Sequence, residues 1–552
     1  MSPTTPLLTV AAPARPSMDN PNSRPLLPLW AATPVAAAAG LALDLASPPL
    51  GWWPLAFVSV VLALATLMGR SIGGALLVGT MFGVVFYFTH LVWVGEFLGP
   101  VPWIALAGLE AVLFGLGAIP ITLAYRWTAR FRARGPGQLV GIPLLVAGLW
   151  ATREVGMGAW PYSGFPWARL GMTQVEGPLP QLASWTGVTG LSFFLAAVCA
   201  ALLQWLRAGG IRFPRGAFST AAGVLLLVAV PQFPTTDAGT FTVGWVQGNG
   251  PAGYFDDRLP GDMLAAQTTT TEPLMGQPMD LIVWPEGSVD SDPLTASATA
   301  AVLDRLVRDA GAPLLVNAAT TRGADVFNTS LLWSADPADR QWHDKVNPVP
   351  FGEYVPDRWF YELLAPDLVG LIQREYTPGT NPPLMKVGNV GVGLAICFDV
   401  IYDTVIWDSA RAGAQLYVFQ TNNADFRGTD ENIQQLAFAR MRAIETGRTV
   451  VNVSTVGTSQ VIAPDGATID SIGVDIAANR VTTVPLRSGL TPAVVVGPWV
   501  TGTLPVSVIV ALGALGLLHR GRLRGTADHS DRRPKQRRGP QAARAIGDRD
   551  AT

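Results

Sequence analysis

The chain has 552 residues, 49% of them hydrophobic and 14% charged, with a formal net charge of −2. This length excludes a single ordinary domain, and so little charge excludes a protein whose whole surface is covered by water. The net charge singles out no partner; the positions of the charges say more.

Residues 1–28 are rich in Pro, Ser and Thr, lack a long apolar run and read as a disordered cytoplasmic tail. No cleavable signal peptide is evident, because the first apolar segment begins near Leu29 and further spans follow it. Long apolar stretches lie at roughly 29–47, 52–69, 73–95, 103–126, 138–152, 185–206, 217–232 and 498–518. A helix crosses the hydrocarbon core with about 20 apolar residues, so the pattern predicts a polytopic membrane domain of about eight helices. Seven of them fall in 29–232 and the eighth in 497–518.

Lys and Arg collect in short cytoplasmic loops. Arg15 and Arg24 precede the first span, Arg70 follows the second, and Arg126, Arg130, Arg132 and Arg134 follow the fourth. Arg207, Arg212 and Arg215 follow the sixth, and Arg520, Arg522 and Arg524 follow the last. The alternation predicts both termini in the cytoplasm and an insert at 233–496 outside it. Arg153 and Arg169 sit in the outer connection 152–184 as a mild exception. The basic tail 519–552 reads as a solvated anchor rather than a nucleic-acid arm.

The insert has a different texture. Short apolar runs (FTVGWVQ, DLIVWPE, APLLVNAA, NTSLLWS, VGVGLAIC, AQLYVFQT and TVVNVST) alternate with helical segments such as SATAAVLDRLVRDAG and ENIQQLAFARMRAIETG. Continuously apolar strands are those buried on both faces, so the pattern predicts a layered α/β domain. Of the two cysteines, Cys199 lies in an apolar run and reads as a buried helix residue, whereas Cys397 ends a strand. A disulfide between them would join a membrane span to a soluble core and is not expected.

Polar residues stand at the ends of these strands, where α/β sheets gather ligands. Glu286 follows DLIVWP, Lys345 and Glu353 lie in WHDKVNPVPFGEYVP, Cys397 ends VGVGLAIC, and Asn422 and Asn423 follow AQLYVFQT. Taken singly, each has a plain explanation: a loop carboxylate, a surface lysine, an inert buried thiol. The glycines of GNVGVG lack the strand-turn-helix setting of a nucleotide loop, and His343 near Lys345 has no second ligand to make a metal site. Together, however, Glu, Lys and Cys supply a base for a thiol, a fixed cation for an oxyanion and a nucleophile.

In this the insert resembles the nitrilase superfamily, whose triad is Glu-Lys-Cys. The whole chain, over roughly 30–520, resembles its membrane-embedded branch, the bacterial apolipoprotein N-acyltransferases. The pieces that carry the resemblance are VQGN (246–249), WPE (284–286), VPFGEYVP (349–356), AIC (395–397) and ARMRAIE (439–445), with SGFPWARLG (163–171) and GVTGLSFF (187–194) in the membrane half. The resemblance implies a four-layer α-β-β-α sandwich for the insert. It also implies a multi-pass enzyme of the bacterial plasma (inner) membrane that acts as a monomer without metal or diffusible cofactor. An acyl chain would pass from a phospholipid donor to the N-terminal cysteine amine of a diacylglyceryl lipoprotein, through a thioester on Cys397. Glu286 would be the base, Lys345 and the Phe398 backbone N–H would hold the oxyanion, and Glu353 would orient Lys345.

The sequence departs from the family at Phe398-Asp399, where Tyr-Glu is common. It departs again at Thr421-Asn422-Asn423-Ala424-Asp425-Phe426, where Ser-Asn-Asp-Ala-Trp-Phe is common. Two other readings compete: a membrane-tethered amidase acting on a small amide, and a non-enzymatic membrane scaffold or transporter. The aromatic loop 160–167 is expected either at the membrane interface or as a packed hairpin.

Overall fold

The computed structural model describes residues 24–128, 137–208, 221 and 223–531. Seven helices come first: α1 (Leu29–Ala46), α2 (Pro54–Leu67), α3 (Ile72–His90), α4 (Val92–Leu98), α5 (Pro100–Trp127), α6 (Ile142–Met157) and α7 (Ala183–Arg207). A long helix, α12 (Pro492–Asp531), ends the described chain.

Among the described residues six helices are long and apolar enough to cross a membrane: α1, α3, α5, α6 with the turn before it, α7 and α12. The 14-residue α2 is shorter. Of the expected seventh segment (217–232), residues 217–220 and 222 lie outside the described residues and 223–228 are helical; most of both tails lies outside them as well. The expected span 73–95 is two helices, because Leu91 leaves helical geometry (φ −107°, ψ 22°) between α3 and α4. The last helix begins before and ends beyond the expected 498–518.

The fifth span also needs correction. It runs on to Met157 and takes Arg153 and Glu154 into the helix, where both are buried. The two charges hid the continuation in the sequence. Arg153 is accommodated because its guanidinium stacks over Phe114 and Trp150, 3.8 and 4.2 Å from the ring centroids.

Cys199 is buried in α7, and neither cysteine is in a disulfide. The outward faces of the helices carry Leu77, Val84, Ile104, Leu116, Ile509 and Val510, an apolar belt of the kind that lipid covers.

Between α7 and α12 lie two six-stranded sheets. The first runs β12-β1-β2-β3-β4-β5, from β1 (Thr236–Gln247), β2 (Leu281–Val283), β3 (Leu314–Arg322), β4 (Asp325–Trp333), β5 (Gln341–Asp344) and β12 (Ala478–Ser488). The second runs β11-β10-β9-β8-β7-β6, from β6 (Leu384–Val387), β7 (Val390–Ile396), β8 (Leu416–Thr421), β9 (Val450–Ser454), β10 (Ser459–Ile462) and β11 (Thr468–Ile472).

Each sheet has three parallel strands at its centre (β1-β2-β3 and β7-β8-β9) and antiparallel strands outside them. The parallel six are among the continuously apolar runs of the sequence, as burial on both faces requires. The more polar outer strands β5, β6, β10, β11 and β12 carried no such signal.

Side chains alternate faithfully. Val243, Trp245, Leu281, Val283 and Leu315 of the first sheet meet Val392, Leu394, Leu416, Val418 and Val451 of the second. On the outer face of the first sheet, Ile282, Leu314 and Val316 pack with Leu303, Leu306 and Val307 of helix α9 (Ser297–Ala310); helix α8 (Asp262–Thr271) lies before it in the chain. The outer face of the second sheet, with Tyr417 and Phe419, packs with helix α11 (Glu431–Thr446). Helix α10 (Asp403–Arg411) lies between β7 and β8 in the chain. This is the expected α-β-β-α sandwich.

The second outer core does not stop at α11. It is one continuous cluster with α1–α7, the loop 160–175 and α12.

Candidate active site

β7 is a central parallel strand, and its last residue, Ile396, hands the chain to a 3-10 turn, Cys397–Ile401. The change of direction falls on Cys397, whose φ is +50°. A β-carbon in left-handed geometry costs about 1–3 kcal/mol and persists only where the surroundings hold it. The strand ladder on one side and the turn on the other do so, and the thiol is carried at the tip of a sharp bend.

Opposite it, two residues of the first sheet meet. Glu286 follows β2 and Lys345 follows β5, and both are buried, at 8% and 1% exposure. The Lys345 ammonium lies 2.7 Å from Glu353 and 3.4 Å from Glu286. Asn328 on β4 donates to both carboxylates, at 2.8 and 3.1 Å. Its own carbonyl accepts from Asn317 on β3, whose side-chain oxygen takes the Gly287 N–H. Glu353 also accepts the Val349 N–H at 2.7 Å. One lysine is thus held between two glutamates that also share the Asn328 amide.

The electrostatics follow from burial. Burial raises the proton affinity of Glu286, the Lys345 charge opposes it, and the net shift is upward. Burial alone would lower Lys345, but Glu286 and Glu353 outweigh it and hold the ammonium well above its usual range. Burial and the Glu286 charge push the Cys397 thiol up, against Lys345. At rest the sulfur keeps its proton beside a carboxylate able to take it, which suits general-base activation better than a standing thiolate.

Phe398 and Asp399, the two departures after the cysteine, both have partners. Asp399 is buried and accepts from the Val346 and Asn347 backbone N–H groups and the Asn347 amide, at 3.1, 2.8 and 2.9 Å. It therefore fastens the Cys397 turn to the loop just after Lys345. Phe398 lies face to face with Phe165 at 6.1 Å, and Phe165 with Trp167 at 5.9 Å. So loop 160–167 is largely a packed hairpin lying against the cysteine turn, although Trp160 is 64% exposed.

Of the two asparagines after β8, Asn423 is buried behind the thiol, and Asn422 donates to the Ala252 carbonyl in a neighbouring loop. Asp425, where the family often has Trp, accepts the Tyr254 N–H at 2.6 Å.

Residue-by-residue reading missed Asn317, Asn328, Gln420, Glu431 and Gln435. The signal was available for Asn317 and Gln420: a lone amide inside an otherwise apolar strand (LLVNAA, LYVFQT) needs a buried partner. Gln420 finds one across the sandwich, donating to the Trp284 carbonyl at 2.6 Å. Among the described residues, no group of three or more His, Cys, Asp or Glu side chains could hold a metal ion.

Residues 39–201 match the apolipoprotein N-acyltransferase N-terminal domain, and residues 243–479 match the carbon-nitrogen hydrolase domain. The apolipoprotein N-acyltransferase of Mycolicibacterium smegmatis is 32% identical over 541 residues, covering 89% of this chain and 86% of that protein. That of Geobacter metallireducens is 28% identical over 461 residues, covering 78% and 85%. Among solved structures, a CN-hydrolase superfamily protein from Xanthomonas campestris is 21% identical and covers 44% of this chain and 90% of its own, with a TM-score of 0.33. Nit3 of Saccharomyces cerevisiae is 19% identical and covers 46% and 91%, with a TM-score of 0.34. With both domains matched in order and a relative this similar along most of its length, the chain is a membrane protein that belongs to the apolipoprotein N-acyltransferase family.

Proposed function

We propose that the protein N-acylates lipoproteins with a phospholipid as donor, and that Glu286, Lys345 and Cys397 carry the chemistry in two half-reactions. The observation behind this reading is the meeting of one thiol with a buried Glu-Lys-Glu cluster on a core continuous with the membrane helices.

In the first half, Glu286 takes the Cys397 proton as the sulfur bonds to the ester carbonyl carbon. The oxyanion forms against the Lys345 ammonium and the Phe398 N–H, which lies in the first turn of its short helix where N–H groups have no partner within the helix. Collapse breaks the carbon–oxygen bond. Glu286 returns the proton to the leaving oxygen, releasing lysophospholipid and leaving a thioester. In the second half, the N-terminal amine of a diacylglyceryl lipoprotein loses a proton to Glu286 and its nitrogen attacks the thioester carbon. The carbon–sulfur bond breaks, and the sulfur regains the proton from Glu286. Glu353 keeps Lys345 in position throughout. The ester supplies the energy, so no nucleotide is needed.

The same reading divides the chain into a membrane region over 29–232, a catalytic domain over 233–496 outside the cytoplasm and a final span over 497–518, with both termini inside. It makes the protein a monomer of the bacterial plasma membrane. Reconstituted protein, given phospholipid and a diacylglyceryl lipopeptide, should add one acyl chain to the peptide by mass, and Cys397→Ser should add none. No gain with any of several phospholipids would overturn the donor.

A further inference from the structure

The Cys397 sulfur has a neighbour with no role in the scheme above. Gln435, on the first turns of α11, directs its amide nitrogen at the sulfur from 3.5 Å and is buried. An amide end can be a donor or an acceptor, and only a donor would help a sulfur that is losing its proton.

The surrounding hydrogen bonds decide which it is, starting from a backbone group that cannot flip. The Gly457 N–H donates to the Ser454 hydroxyl oxygen at 2.9 Å. The hydroxyl proton is then free to donate to the Asn423 side-chain oxygen at 2.6 Å. Because its oxygen is engaged, Asn423 turns its other end outward as the donor, and its NH2 reaches both Glu431, at 2.7 Å, and the Gln435 oxygen, at 3.0 Å. With its oxygen so engaged, Gln435 has its NH2 toward the sulfur. Ser454, Asn423 and Gln435 are all buried, and in this arrangement each passes a donor to the next acceptor, so the polarity runs one way from the Gly457 amide to Cys397.

We propose that Gln435 is a further catalytic residue, donating a hydrogen bond to the Cys397 sulfur as its negative charge builds. Asn423 and Ser454 are positioning residues that keep the donor end turned toward it. The inference rests on Cys397 being the nucleophile. The charged and titratable groups acting on that sulfur are Glu286, Lys345, Glu431 and Glu353; three of the four are acids, so a neutral donor stabilises the sulfur without adding charge to the cluster. The arrangement also fits a thiol that must be thiolate-like only in passing, during attack and again as leaving group in the second half-reaction.

The test uses the full-length protein in phospholipid nanodiscs. The rate of Cys397 alkylation by iodoacetamide is followed against pH by the mass of the Cys397 peptide, which keeps Cys199 out of the signal. Thioester formation from the phospholipid is measured beside it. Gln435→Met, similar in length but with no donor, should move the alkylation profile to higher pH and slow thioester formation about 10- to 100-fold, the range for a lost hydrogen bond to a charged group. Gln435→Glu should be similarly slow at high pH. It should recover toward wild type as pH falls, because a protonated carboxyl can donate to the sulfur while its other oxygen still accepts from Asn423.

Alkylation profiles of Gln435→Met and Gln435→Glu that match wild type would overturn the proposal, whether or not transfer is lost, since lost transfer alone would mark a structural role. If Gln435→Met does not fold, absence of the low-pH recovery in Gln435→Glu overturns it alone. A wild-type protein that alkylates at Cys397 but forms no thioester would count against the phospholipid-donor reading. The alkylation profiles would still decide the role of Gln435.

Discussion

The two sheets of the sandwich are built alike and used differently. Each centres on three parallel strands, but the first closes its outer face with α9 in a core of its own, whereas the outer core of the second runs on into the membrane helices. The polar groups are divided the same way. Glu286 and Lys345, which would handle proton and charge, stand on the first sheet, while Cys397 and the amide chain behind it stand on the second. Cys397, the proposed nucleophile, therefore sits on the half that shares its outer core with the apolar helices. Glu286 and Lys345 are presented from the half whose outer core is separate.

Four tests, one of them a matched pair, probe this division. The largest effect is expected at the nucleophile: Cys397→Ser should abolish acyl transfer while leaving the protein folded, by mass of the lipopeptide and by thermal scan. Next, Lys345→Met should lower thioester formation about 10²- to 10³-fold, the usual loss when one oxyanion donor is removed. A loss below tenfold would mean that the first sheet does not hold the oxyanion.

A matched pair then compares the two outer cores. Leu303→Ala in α9 and Phe438→Ala in α11 remove fully buried side chains, at about 2–5 and about 3–5 kcal/mol respectively. The stability losses should be similar, but only Phe438→Ala should slow the folded enzyme. Its ring packs on Trp167 at 5.5 Å, and the same helix carries Gln434, which accepts from Trp93 and Trp167, and Gln435, which meets the sulfur. Equal activity losses would erase the distinction between the sheets.

The smallest effect is a pH slope. Burial raises the Glu431 carboxyl to about 8, its Asn423 hydrogen bond opposes that and the Glu286 charge adds to it. In the unfolded chain the group titrates near 4.5. Between those values the folded protein holds the extra proton, so stability falls as pH rises, by at most about 1.4 kcal/mol per pH unit. Glu431→Gln should remove that slope, seen as a melting temperature that declines less than that of wild type from about pH 5 to about pH 8.

Much of this was legible in the sequence, and what escaped did so for definite reasons. The central strands announced themselves because burial on both faces forces unbroken apolar runs; of the outer strands only β4, with its buried apolar end, did so. The polar ends of the strands named Glu286, Lys345 and Cys397, since chemistry at strand termini interrupts an apolar pattern. Gln435 and Glu431 lie on a helix already rich in polar residues, so nothing in their spacing separates an inward amide from a solvated one. Arg153 escaped for the opposite reason. A charge is read as the end of a span, and here aromatic rings allow the helix to continue past it. The break at Leu91 leaves no mark in composition at all.

The left-handed backbone at residue 397 has a further consequence. Glycine is the one residue that adopts this geometry without penalty, so Cys397→Gly should melt at a higher temperature than Cys397→Ala, both being inactive. A lineage released from the need for this reaction would be free to drift toward glycine and gain stability by it. A side chain at a position whose backbone alone favours none is what the proposed role of Cys397 would require.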